Sequence, residues 1–121
     1  MLGQAVTRAI GLRAAPEEVW AALTDAERLS EWFGVRAEID PRPGGAVRFG
    51  GPGRAERRGL VEAADPPHRL VFRWRELHGA TDGIVAGDAS TVEFLLERDG
   101  EHTRLVVTES PGVLTASGAD A

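Results

Sequence analysis

The sequence predicts a single α+β domain in which one strand and two short helices precede six antiparallel strands. Three observations predict it. Val6 to Arg13 alternates with period two; Pro16 to Phe33 carries apolar residues at helical spacing; from Val35 to Val107 the period returns to two and stays there. One short helical run followed by a long run of strands means α+β rather than a βαβ sheet. With 121 residues the chain has room for one core, so residues 1–121 are read as one domain.

Each element has its own signal. In the first strand Val6, Arg8, Ile10 and Leu12 share a parity. Pro16 suits a first helical turn and Glu17 and Glu18 suit its positive end, with Val19, Trp20 and Leu23 on one face. Thr24-Asp25 interrupts this helix and caps a second, whose apolar side holds Leu29, Trp32 and Phe33 and whose stop is Gly34. Val35, Ala37 and Ile39 then alternate with charged residues, and Pro43-Gly44 fits a type II turn before Val47 and Phe49. Gly50-Gly51-Pro52-Gly53 is a second turn, and Gly59, Val61 and Ala63 follow it. Asp65-Pro66-Pro67 breaks that strand; Leu70, Phe72 and Trp74 form the next, and a loop is expected over roughly 77–89. Val92, Phe94 and Leu96 precede the hairpin signal Asp99-Gly100, after which Leu105, Val107 and Glu109 share a parity.

Composition works by exclusion. No apolar run approaches the ~20 residues that span a bilayer, and Met1 to Ala15 lacks the apolar stretch of a signal peptide, so a cytoplasmic protein without membrane contact is expected. Without cysteine there are no disulfides, thiolate metal sites or cysteine nucleophile. All 14 basic residues are Arg, which removes Schiff-base chemistry and a P-loop lysine. A net charge of −5 argues against nucleic acid as a partner. His68, His78 and His102 stand apart with no metal-ligand spacing, and no G-x-S-x-G elbow surrounds Ser30, Ser90 or Ser110. No metal, cofactor or catalytic residue is therefore assigned.

The stretch Ala15-Pro16-Glu17-Glu18-Val19-Trp20-Ala21-Ala22-Leu23-Thr24-Asp25, followed by Leu29 and Trp32-Phe33, resembles the opening of the START-like, or SRPBCC, superfamily. Ala37 to Gly45, Gly59-Leu60-Val61, Pro67 to Trp74 and Thr103 to Thr108 resemble its branch related to the activator of Hsp90 ATPase homologue. The resemblance implies a helix-grip fold of the START/Bet v 1 kind, in which a curved antiparallel sheet grips a long C-terminal helix over a cavity. The sequence departs from that pattern at its end. Nine residues follow Gly112, enough for a helix of roughly 14 Å, with Val113 and Leu114 as their large apolar side chains. The gripping helix is thus expected to be missing or truncated. The inward apolar residues would then leave a patch on the order of 1,000 Å², against ~300–600 Å² on a typical monomer. A second copy of the chain, forming a homo-oligomer such as a dimer, is expected to cover it.

The resemblance implies binding of a small hydrophobic or amphipathic molecule. Trp32, Phe33, Phe49, Phe72, Trp74 and Phe94 are the aromatic candidates to line the cavity, and Trp20 reads as structural. Arg8 and Glu109 carry the inward parity of the first and last strands, which the family places side by side. They are read as an ion pair at the cavity mouth or as a polar anchor. Two alternatives accompany this reading. One is a co-chaperone-like interaction module, as the family name suggests. The other is a cyclase or dehydratase of the polyketide type, against which the absence of Tyr and Lys weighs.

Overall fold

In a computed structural model of the protein, described over residues 5–50, 56–80 and 83–111 (backbone alone at 33, 78–80 and 83–88), seven strands form one antiparallel sheet. In chain order the elements are β1 (Val6–Leu12), α1 (Pro16–Leu23), α2 (Ala26–Phe33), β2 (Ala37–Ile39), β3 (Ala46–Phe49), β4 (Glu56–Asp65), β5 (Arg69–Ala80), β6 (Gly83–Asp99) and β7 (His102–Pro111). The sheet order is β1-β7-β6-β5-β4-β3-β2, so the first and last strands are neighbours and every other pairing joins consecutive strands. This is the α+β arrangement that the alternation requires.

The helices start and stop where local chemistry places them. Pro16 opens α1, and the Glu18 carboxylate accepts the Ala15 N–H at 3.1 Å. The Asp25 carboxylate accepts the N–H groups of Glu27 and Arg28 at 2.9 and 3.1 Å, which satisfies two otherwise orphaned donors at the start of α2. Gly34 ends α2 in the left-handed region at φ 71°, which a side chain would resist. Two part-buried hydroxyl contacts fasten α2 and the segment entering α1 to the sheet. Ser30 Oγ accepts the Ala37 N–H at 2.8 Å, and Thr103 Oγ1 donates to the Ala14 carbonyl at 2.7 Å.

Val19, Leu23 and Leu29 point from the helices into the inner face of the sheet and are at most 2% exposed. They share one core with Ala37, Ile39, Val47, Leu70, Leu96 and Leu105. The expected patch on the order of 1,000 Å² is therefore much reduced. Helices cover one end of the inner face, and at the other end the aromatic rings pack on one another. Val6, Ile10 and Trp32 remain about half exposed. The residues on which a terminal helix was judged, 113–121, lie outside the described ones.

Two further expectations are corrected. The stretch read as a loop over 77–89 is mostly strand: β5 and β6 continue as a hairpin in which Leu77 pairs with Ala86, His78 with Val85 and Gly79 with Ile84. Its small residues resemble loop composition, but a ladder is made by backbone groups and tolerates them when both strands supply partners. Strict alternation would put Ala63 on the same inner face as Val61. A register shift between Val61 and Ala63 leaves Glu62 unmatched and sends Ala64, opposite Leu70, toward the core instead.

Candidate functional site

Strand parity and register build the site. On β5 the residues Phe72, Trp74 and Glu76 share the inner face. Their β4 partners are Val61, Gly59 and Arg57, and Arg57 is in turn paired with Phe49 on β3. On the other side of β5, Phe72 pairs with Val92 of β6, and Val92 pairs with Glu109 of β7. One row of aliphatic and aromatic side chains therefore ends in three polar ones, Arg57, Glu76 and Glu109. They surround a cavity of about 450 Å³ whose floor is Phe49, Phe72, Trp74 and Phe94.

Trp74 is the centre of this arrangement. Its ring meets Phe49 edge-on at a centroid distance of 5.0 Å and Phe72 at 5.2 Å. Phe72 in turn meets Phe94 edge-on at 5.5 Å. Such edge-to-face pairs fix ring orientation as well as burying area. The Trp74 Nε1–H reaches past β6 to donate to Glu109 Oε2 at 3.0 Å, so a buried donor is satisfied and the indole cannot rotate without losing it. Above the ring lies the Arg57 guanidinium, its Cζ 4.7 Å from the ring centroid. Gly59 lets the β5 backbone approach closely beside Trp74. A Cβ there would fall 1.7 Å from the Arg73 carbonyl oxygen and 2.6 Å from Trp74 Cα, so any side chain would push β4 and β5 apart at this point.

A second cavity of about 500 Å³ lies beside the first, between β1, β7 and the helices. Ile10, Leu12, Leu23, Trp32 and Leu105 line it, and Phe94 and Val107 border both cavities. Arg8 is its single charged lining residue among the described ones.

The structure thus distributes the candidate residues over two adjoining hollows. Phe49, Phe72, Trp74, Phe94 and Glu109 belong to the first, and Trp32, Arg8 and again Phe94 to the second. The Phe33 side chain lies outside the described residues. Arg8 and Glu109 do not pair. The β1–β7 register sets Arg8 opposite Val107 and Glu109 opposite Val6, and Glu109 turns toward the Trp74 indole while Arg8 stays exposed. Arg57 and Glu76 escaped the sequence reading. Both were detectable by parity, Arg57 with Gly59 and Val61, Glu76 with Phe72 and Trp74. Arg57 lies just before Gly59, where the alternation was read as resuming, and Glu76 stood at the edge of the supposed loop over 77–89.

Chemically, the first hollow offers an apolar floor, one cation and two carboxylates. Among the described residues no three His, Asp or Glu side chains converge as metal ligands would. No described helix is long and apolar enough to cross a membrane.

Comparison with known proteins agrees with this architecture. An HSP90 activator from Plasmodium falciparum, PFC0360w, superposes with a TM-score of 0.70 at 22% identity, over 98% of this chain and 81% of that one. DynU16, a protein of the dynemicin biosynthetic locus, superposes at 0.75 with 26% identity, and CalU16 from Micromonospora echinospora at 0.65 with 28%. The present chain is covered to 95% and 90% in these two, yet it spans only 40% of DynU16 and 61% of CalU16. No functionally curated protein matches the sequence. A family model described as activator of Hsp90 ATPase homolog 1-like protein matches residues 13–120. Strand order, helix placement and this match agree, and the chain belongs to the activator of Hsp90 ATPase homolog 1-like family of START-like domains.

Proposed function

We propose that the protein is a cytoplasmic binding module that holds a small hydrophobic or amphipathic molecule in the inner hollow of its sheet. The observation that carries this reading is the cavity of about 450 Å³ over Phe49, Phe72, Trp74 and Phe94, which adjoins a second, more apolar one at Phe94 and Val107. Its size suits a drug-sized or smaller ligand, and an apolar floor with a few placed polar groups is the usual make-up of such sites. The floor is held rigid by edge-on ring contacts and the Trp74–Glu109 hydrogen bond, so little ordering entropy opposes binding.

The test is titration with the neutral fluorophore N-phenyl-1-naphthylamine. The reading expects saturable one-to-one binding, weakened at least tenfold by Val107→Trp, which adds bulk where the two cavities meet. Non-saturable binding, or binding indifferent to Val107→Trp in a variant with an unchanged melting temperature, would overturn it. Native mass spectrometry of the same samples reads any co-purified molecule and the oligomeric state. A protein-interaction role of the Hsp90-activator kind is the competing reading, and it expects no small-molecule complex in either measurement.

A further inference from the structure

Building on that reading, we infer that the ligand carries an anionic oxygen group, such as a carboxylate, which the Arg57 guanidinium receives. The inference follows from an inventory of the polar groups around the first hollow. Glu109 already accepts the Trp74 indole N–H at 3.0 Å. Glu76 is likewise engaged. Arg57 is different. Its guanidinium lies against the Trp74 ring, 4.7 Å from Cζ to centroid, and among the described residues it has no hydrogen bond or ion pair with an acceptor.

A contact with an aromatic ring engages the charge of a guanidinium and supplies no oxygen acceptor for its N–H donors. Arg57 is thus oriented but not satisfied. It is also half-buried on β4, between Phe49 and Glu76 in the register, rather than waving in solvent. A planar fork of donors held over an indole matches the two oxygens of a carboxylate, and bidentate pairing is the strong form of that contact. Four other arginines on the sheet, Arg48, Arg58, Arg69 and Arg73, each have a carboxylate within 4 Å, which the Arg57 guanidinium lacks among the described residues.

The two carboxylates set the limits of the effect. Glu76 and Glu109 both line the same hollow and oppose an incoming anion, so the preference is moderate rather than absolute. They also define the opposite hypothesis, a cationic or donor-rich ligand. The geometry disfavours it because both carboxylates already have partners and Arg57 would then face a like charge. With the anionic group at Arg57, the apolar remainder of the ligand lies over Phe94 and Val107 toward the second cavity.

The experiment is isothermal calorimetry of the full chain with three shape-matched probes: 2-naphthoate, 2-naphthalenemethanol and 2-naphthylmethylammonium. We expect the carboxylate to bind about tenfold tighter than the alcohol, with the ammonium weakest. Arg57→Gln should bring the carboxylate down about tenfold, to near the level of the alcohol, while changing the alcohol far less, and Arg57→Lys should keep part of the preference. Amide spectra of the variants confirm that each is folded. Equal binding of carboxylate and alcohol, or tightest binding of the ammonium, overturns this inference and leaves the binding-module reading standing. Failure of all three probes to bind overturns both.

Discussion

The two ends of the inner sheet face are built from the same alternation and do different work. At one end Val19, Leu23 and Leu29 descend from the helices onto Ile39, Val47, Leu70 and Leu96, and every one of these is at most 5% exposed. Among the residues just named there is no polar side chain. At the other end the face holds Phe49, Trp74, Val92 and Val107, and there Arg57, Glu76 and Glu109 share the inward side with them. The inward-facing charges of β4, β5 and β7 thus gather where helices do not cover the sheet. A charge under the helices would be desolvated without a partner, whereas one at the uncovered end keeps contact with water or with a bound molecule. The comparison teaches that parity tells which side a residue faces, and the cover above it decides whether that side is core or site.

The largest expected effect lies at the covered end. Leu29→Ala removes a side chain with 0% exposure from the helix–sheet seam and should cost about 4 kcal/mol in chemical denaturation, with probe affinity unchanged in the folded fraction. Gly59→Ala acts at the uncovered end through the backbone. Its Cβ meets the Arg73 carbonyl oxygen, so a loss of about 3 kcal/mol is expected together with weaker binding, because the strand shift moves Trp74. If Gly59→Ala left the melting temperature unaltered, the close approach of β4 and β5 would be wrong.

Glu109→Ala sharpens the contrast. It should lower stability by about 1 kcal/mol and move the Trp74 indole N–H resonance toward that of a solvent-bonded indole. The smallest effect belongs to the turn between β2 and β3, remote from both ends. Arg42 Nε and Nη2 donate to the Asp40 carboxylate at 2.9 and 2.7 Å, and this hydrogen bonding holds Asp40 below its ordinary value of 3.8. A carboxyl lowered in the folded state stabilises above its unfolded value and loses that contribution as pH falls through the folded one. Because the pair is exposed, Arg42→Gln should raise the Asp40 titration midpoint, read by carboxyl-carbon NMR, with no resolved change in melting temperature.

Much of this fold was legible in the residues because alternation and turn chemistry are local. Asp25 and Gly34 bracket α2, and Pro43-Gly44 turns β2 into β3 with Gly44 at φ 86°. The long β5–β6 hairpin was not legible. Its pairing rests on backbone groups from residues such as Gly79 and Ala86, whose side chains leave no alternating mark. The shift at Glu62 was equally silent, since one extra residue in a strand alters parity without altering composition. For the site, the aromatic floor was visible in the strand pattern. What escaped was partner choice. Arg8 and Glu109 share a face and adjacent strands, yet Glu109 binds an indole that comes from two strands away in the sheet and 35 residues away in sequence. Arg57 has the parity of Gly59 and Val61, but its place between Phe49 and Glu76 comes from the register.

The central claim is that the uncovered end of the sheet, organised around Trp74, receives a ligand. The three tryptophans report on it separately, because Trp20 packs against the core, Trp32 lines the second cavity and Trp74 the first. A 15N–1H titration with 2-naphthoate should shift the Trp74 indole resonance most, shift Trp32 less and leave Trp20 in place. A titration in which Trp20 moves as far as Trp74, or in which the indole of Trp74 does not respond while binding saturates, would contradict the account.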